Sequence, residues 1–127
     1  MKQEMILDYM NQGFLDNIVA LMKQDEALLQ MLPDMMKDER IKVRLGTASL
    51  LEQLVEWDAA KLFSLIPAFA LLLADENPTI RGDAASVLEM IGNPDALVYL
   101  NQFKNEENLQ VREIILEAIE ILESSGN

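Results

Sequence analysis

Three segments of this chain repeat one seven-residue pattern, and this repeat limits the possible folds more than any other feature. The segments are 38–44, 75–81 and 106–112. Each begins with two acidic residues and ends with a β-branched apolar residue followed by arginine. The three arginines, Arg44, Arg81 and Arg112, are 37 and 31 residues apart. A repeat at this period is typical of proteins built from similar supersecondary units that bury their apolar faces against one another.

The residues that follow each arginine predict an amphipathic helix. Leucine or isoleucine stands seven and ten residues beyond every arginine, at Leu51 and Leu54, Leu88 and Ile91, and Ile119 and Leu122. Steps of three and seven residues place these side chains on one helical face. Each repeat is therefore predicted to begin with a helix that directs one face toward a core.

The remaining segments are also predicted to be helical. No window shows the period-two alternation of an exposed strand, so we expect about eight helices joined by short connections and no sheet. The longest is expected over about residues 39–57, and another over about 58–74. Pro33 should kink the third helix because its nitrogen carries no hydrogen. The predicted helix caps are Asp25, Asp58, Asn77, Asn93 and Asn108.

The repeat resembles the HEAT repeat family, and most closely its PBS-lyase HEAT-like variety. The segment 75–97 carries the closest match, and the resemblance covers about residues 38–123. It implies an all-α fold, a short right-handed α-solenoid or superhelix of helical hairpins. It also implies a structural ladder in which the acid pairs with the arginine six residues later. That ladder would comprise Asp38 with Arg44, Asp75 with Arg81, and Glu106 with Arg112.

The repeat also divides the chain into segments. We interpret residues 1–127 as a single HEAT-like domain of ordinary size. Residues 1–37 are expected to form an N-terminal cap or a degenerate repeat, because they lack the acid-to-arginine pattern. The recognisable repeats are 38–74, 75–105 and 106–127, and the last has one helix only. Atypical ends are expected of repeat arrays, since they hide the terminal core faces.

Composition narrows the classes of function. The chain has a net charge of −12, and residues 64–127 hold half of the acids but only three of the ten bases. Nucleic-acid binding depends on lysine and arginine neutralising phosphates, so no nucleic acid is expected. Because the chain contains no histidine and no cysteine, the commonest general base and the thiolate sites are missing. We predict no catalytic residue, no metal site and no cofactor.

The sequence shows no secretory signal and no evident membrane span. The N-terminus lacks an uninterrupted apolar stretch followed by small residues. The longest nearly apolar run, between Lys61 and Asp75, is shorter than the roughly 20 residues that a spanning helix requires. A cytoplasmic location without membrane contact is therefore expected.

An excess of apolar side chains suggests where a partner would bind. The predicted helix from Leu62 to Ala74 is apolar around nearly its whole circumference, and seven of the eight methionines lie within residues 1–36. Methionine suits surfaces that adapt to varied partners. Either the N-terminal helices cover this apolar helix or a partner does, and the sequence leaves both possibilities open. The candidate partner surface consists of Phe63, Ile66, Phe69, Leu72, Met35 and Met36.

The acids of the last predicted helix allow two interpretations. Glu113, Glu117, Glu120 and Glu123 form a calcium or basic-peptide site, or they form a solvated face that caps the array. Calcium sites draw their oxygen ligands from a loop or from several elements, and one straight helix does not supply them. The solvated face is therefore the favoured interpretation.

Taken together, these features predict a protein-binding scaffold or adaptor that acts without catalysis. Its partner is expected to be another protein, with association between copies of the chain as a further possibility. The family resemblance also implies an alternative function, a bilin lyase or a lyase-accessory protein. A second alternative is a small enzyme domain that uses carboxylates, since the chain is rich in aspartate and glutamate.

Overall fold

The computed structural model describes residues 2–125, and within them every regular element is helical. The eight α-helices are α1 (Lys2–Gln12), α2 (Leu15–Gln24), α3 (Leu32–Met35), α4 (Ile41–Asp58), α5 (Ile66–Leu71), α6 (Pro78–Ile91), α7 (Leu97–Asn101) and α8 (Leu109–Ser125). Four 3-10 segments accompany them, at Glu26–Met31, Ala59–Leu65, Leu72–Ala74 and Pro94–Ala96. The predicted all-α fold is confirmed.

Proline explains why several predicted helices are part 3-10 and part α. Pro33 and Pro67 lie in the first turns of α3 and α5, each directly after a 3-10 segment, and Pro94 begins a 3-10 segment. A proline nitrogen donates no hydrogen bond, and the first turn of a helix is the position that tolerates this loss. The kink expected at Pro33 is thus a change of helix type.

Asparagine caps three helical segments, as the sequence predicts. Oδ1 of Asn77 accepts the amide of Thr79 at 2.9 Å, and Oδ1 of Asn108 accepts the amide of Val111 at 3.1 Å. Asn93 caps the 3-10 segment that precedes α7 in the same way. These bonds satisfy amides that have no partner inside the helix.

Asp25 and Asp58 both stand directly before 3-10 segments, Glu26–Met31 and Ala59–Leu65, rather than before α-helices. The side chain of Asp25 makes no capping bond, and its carboxylate pairs with Nζ of Lys2 at 3.2 Å. Asp58 is the last residue of α4, and the backbone continues from it into a 3-10 segment. Cap residues are recognised in sequence by type alone, and an aspartate near a boundary has other partners available.

Packing divides the chain into two compact units, an N-terminal unit (Met1–Asp58) and a C-terminal unit (Ala59–Asn127). In the N-terminal unit, α1, α2 and α3 pack against the long helix α4. Gly46 of α4 allows close approach, since a Cβ atom there would lie 2.7 Å from Cε of Met10. Near the other end of α4, Nζ of Lys23 stands 5.7 Å from the centroid of the Trp57 ring.

The C-terminal unit has two layers of helices. Helices α6 and α8 lie side by side in one layer, while α5 and α7 form the other and contact them. Gly82 of α6 faces α8, and a Cβ atom there would stand 3.2 Å from Cδ1 of Ile114. Gly92 ends α6 in the left-handed region, with φ of 77°, which glycine adopts without steric cost. This unit contains two of the three arginine motifs.

One helical run has the length and composition of a membrane span. The backbone is helical from Ile41 to Ala74, over 34 residues, and an 18-residue window within it has a mean hydropathy of 1.5. The apolar stretch after Lys61 is only the second part of this run, which also includes α4. Buried residues make up 39% of the window, and core helices of soluble proteins can have the same length and composition. One such run is weak evidence for a span.

Candidate protein-binding groove

Each motif arginine donates hydrogen bonds to the main chain of its own motif. The acceptor in every case is the carbonyl oxygen six residues earlier: Asp38 for Arg44, Asp75 for Arg81 at 2.9 Å, and Glu106 for Arg112 at 2.7 Å. Arg44 and Arg81 also reach the next carbonyl oxygen, at 3.1 Å and 3.2 Å. Each arginine thereby stabilises the loop before its own helix, which is α4 for Arg44, α6 for Arg81 and α8 for Arg112.

The acidic side chains of the motifs shape the same loop from the other side. Each carboxylate accepts the amide two residues later: Asp38 from Arg40 at 2.9 Å, Asp75 from Asn77 at 2.9 Å, and Glu106 from Asn108 at 3.3 Å. The expected pairing of carboxylate with arginine inside one motif therefore needs correction. The six-residue spacing brings the arginine to the carbonyl group of the acid, while its carboxylate bonds the turn.

One motif arginine also links two repeats. Nη2 of Arg81 lies 2.7 Å from Oε1 of Glu106, and Nε donates to Oε2 at 3.2 Å. The two side chains are only 18% and 9% exposed. The hydrogen bond from Arg81 holds the pKa of Glu106 below its usual range. The ladder thus has a rung between successive motifs of the C-terminal unit, made by charges that are largely shielded from water.

Most of the predicted partner surface is wrong, because five of its six residues are buried: Met35, Met36, Ile66, Phe69 and Leu72. Helix α5 is covered by the helices of both layers of its own unit, and α3 packs against α4. Phe63 alone of the six lies at the surface, with 39% of the residue exposed. The apolar excess that the sequence displays therefore belongs mainly to the core.

Phe63 opens onto a groove of about 530 Å³ in the second layer of the C-terminal unit. The groove runs between the 3-10 segment and α5 on one side and the segment 94–99 on the other. Its lining is mainly apolar and aromatic, and consists of Phe63, Ser64, Ile66, Pro67, Pro94, Asp95, Val98 and Tyr99. The rigid prolines need little ordering on binding, and Val98 is 62% exposed.

Sequence reasoning did not identify Val98 and Tyr99. Four consecutive residues, 97–100, are apolar or aromatic, and of these only Leu100 is buried. A short helix covers one face, so a run of four large side chains must leave some of them at the surface. The four consecutive apolar or aromatic residues are more than one buried helical face can hold. This feature of the sequence could have indicated an exposed surface on this side of the groove.

The groove offers binding contacts rather than reacting groups. Its polar side chains are two hydroxyl groups, on Ser64 and Tyr99, and the carboxylate of Asp95. Within residues 2–125, no group of three or more acids is arranged to hold a metal ion. Such a surface suits apolar side chains with a basic group at its edge.

A pair of glutamates lies outside the groove, between α6 and α8. Partial burial raises the pKa of Glu89, and the nearby negative charge of Glu117 raises it further. A raised carboxyl pKa is found both at active sites and where like charges are crowded by packing.

Comparison with protein families gives a match over most of the chain. The sequence pattern of the family described as HEAT repeats matches residues 26–120. That span is about three quarters of the chain and includes all three arginine motifs. Comparison with curated proteins and with solved structures gives no match.

Proposed function

We propose that this chain, which belongs to the HEAT repeat family, is a non-catalytic scaffold that binds another protein through the Phe63–Val98 groove. HEAT repeats generally serve as protein-interaction scaffolds. The observation that supports the proposal is the pair of exposed apolar side chains that line opposite sides of this groove, Phe63 and Val98. Burial of aromatic and aliphatic groups in a preformed depression is the usual source of binding energy in an interface.

The dimensions of the groove indicate what kind of segment binds there. A volume of about 530 Å³ accommodates a few side chains rather than a second helical layer. The occupant is a short segment of the partner that carries two or three apolar side chains. Asp95 at the edge favours a lysine or arginine beside them, since the pairing adds specificity. The partner is a protein rather than a nucleic acid or a membrane, and the scaffold acts in the cytoplasm.

Affinity capture from a lysate of the native cells tests the proposal. Val98→Lys places a charge in the groove without opening the core, because Val98 is already exposed. Leu71→Lys is the matched control, since Leu71 is exposed on α5 and does not line the groove. Proteins retained by the wild type and by the control variant, and released by Val98→Lys, are the expected result. Equal retention by all three forms would refute binding at the groove.

A further inference from the structure

Helix α8 carries a second surface, different from the groove. The arginine register aligns α6 with α8, so that residue 81 corresponds to residue 112. In α6, Pro78, Gly82 and Glu89 lie close to residues of α8, and Ala85 stands between Gly82 and Glu89 on the same helical line. The corresponding line in α8 consists of Leu109, Glu113, Leu116 and Glu120, and all four are exposed. The residues of α8 that correspond to the contact line of α6 are therefore exposed to solvent.

The two lines differ in the size of their side chains, and this difference indicates what kind of helix can pack against α8. Gly82 lets α8 approach α6 closely, and Ala85, the next residue on the line, is also small. Glu113 and Leu116 stand at the corresponding positions and hold any neighbouring helix further out. Leu109 is 67% exposed and Leu116 is 45% exposed, two helical turns apart. Between and beyond them stand carboxylates, so the line alternates apolar and acidic groups.

Charge complementarity determines the sign of the charge that the partner carries. A second copy of this chain would bring its own glutamates against Glu113 and Glu120, and like charges in an interface are unfavourable. Residues 59–127 contain 11 acids and four bases, which strengthens that repulsion. A helix with leucine-like side chains on one face and lysine or arginine beside them fits both the apolar and the acidic positions.

We propose that the line Leu109–Glu113–Leu116–Glu120, here the α8 ridge, docks a basic amphipathic helix of another protein. The partner helix lies alongside α8 as α8 lies alongside α6, but at a wider spacing. Its apolar side chains cover Leu109 and Leu116, and its cations pair with the two glutamates. The ridge and the Phe63–Val98 groove share no residue, so each surface is tested without the other.

A synthetic peptide serves as the probe. It contains only leucine and lysine, arranged so that leucine occupies one helical face, and it is about as long as the 17 residues of α8, or about 26 Å. Fluorescence anisotropy measures its affinity for the full chain. A second peptide with the same residues in shuffled order keeps the charge and removes the apolar face. The proposal expects the amphipathic peptide to bind and the shuffled peptide to bind at least about tenfold more weakly.

Protein variants locate the binding site. Glu113→Lys with Glu120→Lys should weaken the amphipathic peptide about tenfold, since two attractions become repulsions. Leu116→Ser should also weaken it severalfold. Glu52→Lys with Glu56→Lys on α4 makes the same change of charge on another exposed helical face, and should leave the affinity within about twofold. Leu71→Lys should leave it unchanged, because Leu71 is exposed and belongs neither to the ridge nor to the groove.

Three results would overturn the proposal. One is equal weakening by the two double variants, which would mean general attraction of a cation to an acidic protein. Another is an affinity that Leu116→Ser leaves unchanged. The third is a dimer in sedimentation velocity that Leu116→Ser dissociates, because a second copy would then occupy the ridge. Circular dichroism of every variant confirms that the helices remain folded.

Discussion

Arg81 satisfies two structural demands with a single side chain. Its Nη1 group bonds the carbonyl oxygens of Asp75 and Glu76, while Nε and Nη2 bond the carboxylate of Glu106. The planar guanidinium presents donors in fixed directions, and lysine does not reproduce that geometry. Removing it would leave a largely buried carboxylate without its cation.

Arg81→Ala is accordingly expected to lower the free energy of unfolding by roughly 2 kcal/mol, since charged hydrogen bonds are lost in a shielded site. Arg81→Lys should cause a smaller loss. Lys104→Ala is the control, because Lys104 is exposed, and it should change stability by less than about 0.5 kcal/mol. Urea titration followed by circular dichroism measures all three. Equal midpoints for Arg81→Ala and Lys104→Ala would contradict a structural role for the ladder.

Glu89 destabilises the fold when it is ionised. Its folded-state pKa lies above the ordinary value of 4.5, because burial and then Glu117 oppose the charge. The folded chain therefore binds the proton more tightly than the unfolded chain. The resulting stability is fully present below the unfolded pKa and is lost as pH rises through the folded pKa.

Glu89→Gln should therefore raise the melting temperature at pH 8, and by less at pH 5. Glu113→Gln removes a charge from an exposed position of α8 and is the matched control for net charge. Thermal denaturation at several pH values between 5 and 8 provides the comparison. A gain that stays constant with pH, or that the control reproduces, would show that ionisation of Glu89 is not the cause.

At the scale of elements, the spacing of α6 and α8 depends on one glycine. The nearest atom to a Cβ at Gly82 would be a terminal methyl group of Ile114, at 3.2 Å. A small side chain there requires a shift of a few tenths of an ångström, whereas a large one must separate the helices. Helix interfaces tolerate little added volume, because protein interiors are packed as densely as crystals.

Gly82→Leu is expected to destabilise the chain by about 1–3 kcal/mol through overpacking. Ile114→Ala added to it should restore part of the loss, since it removes the obstructing side chain. Ser86→Leu introduces the same residue at an exposed position of α6 and should have little effect. Chemical denaturation of these three variants and of Ile114→Ala alone measures the coupling. If Ile114→Ala gives no rescue, the contact between Gly82 and Ile114 does not set the helix spacing.

Elements were predictable where a local rule decides the outcome. The three asparagine caps and the helices after each arginine follow from residue type and spacing. The segment 62–74 was not predictable in the same way. Its burial depends on which helices cover it, and a sequence shows the apolar excess of Phe69 and Leu72 without showing their neighbours. The pairing of the arginines was ambiguous for a related reason, since one spacing reaches both the carbonyl and the carboxylate.

At the scale of the whole molecule, charge limits the choice of partner more than shape does. The net charge is −12, and the bases nearest one another in sequence, at positions 37–44, have acids between them. Arg40 is paired with Asp38 and lies 3.5 Å from Asp8. Few cations are therefore available to displace the counterions of a polyanion.

No complex with duplex DNA or RNA is expected at micromolar protein and physiological salt. Fluorescence anisotropy with labelled oligonucleotides provides the measurement. The same measurement at low salt is a stricter test for nucleic-acid binding, because electrostatic binding becomes stronger as the salt concentration falls. A micromolar complex that weakens as salt is added would contradict the proposal that the partner is a protein.

The cation–π contact between Lys23 and Trp57 has a spectroscopic consequence. Trp57 is the single tryptophan of the chain and lies in the N-terminal unit, so its emission responds when α2 separates from α4. Far-ultraviolet circular dichroism instead sums the helices of both units. When both signals are recorded on one sample during heating, tryptophan emission reports the melting of the N-terminal unit. Circular dichroism reports the melting of the whole chain. Coincident midpoints indicate a single cooperative transition, and separate midpoints indicate that the halves unfold independently.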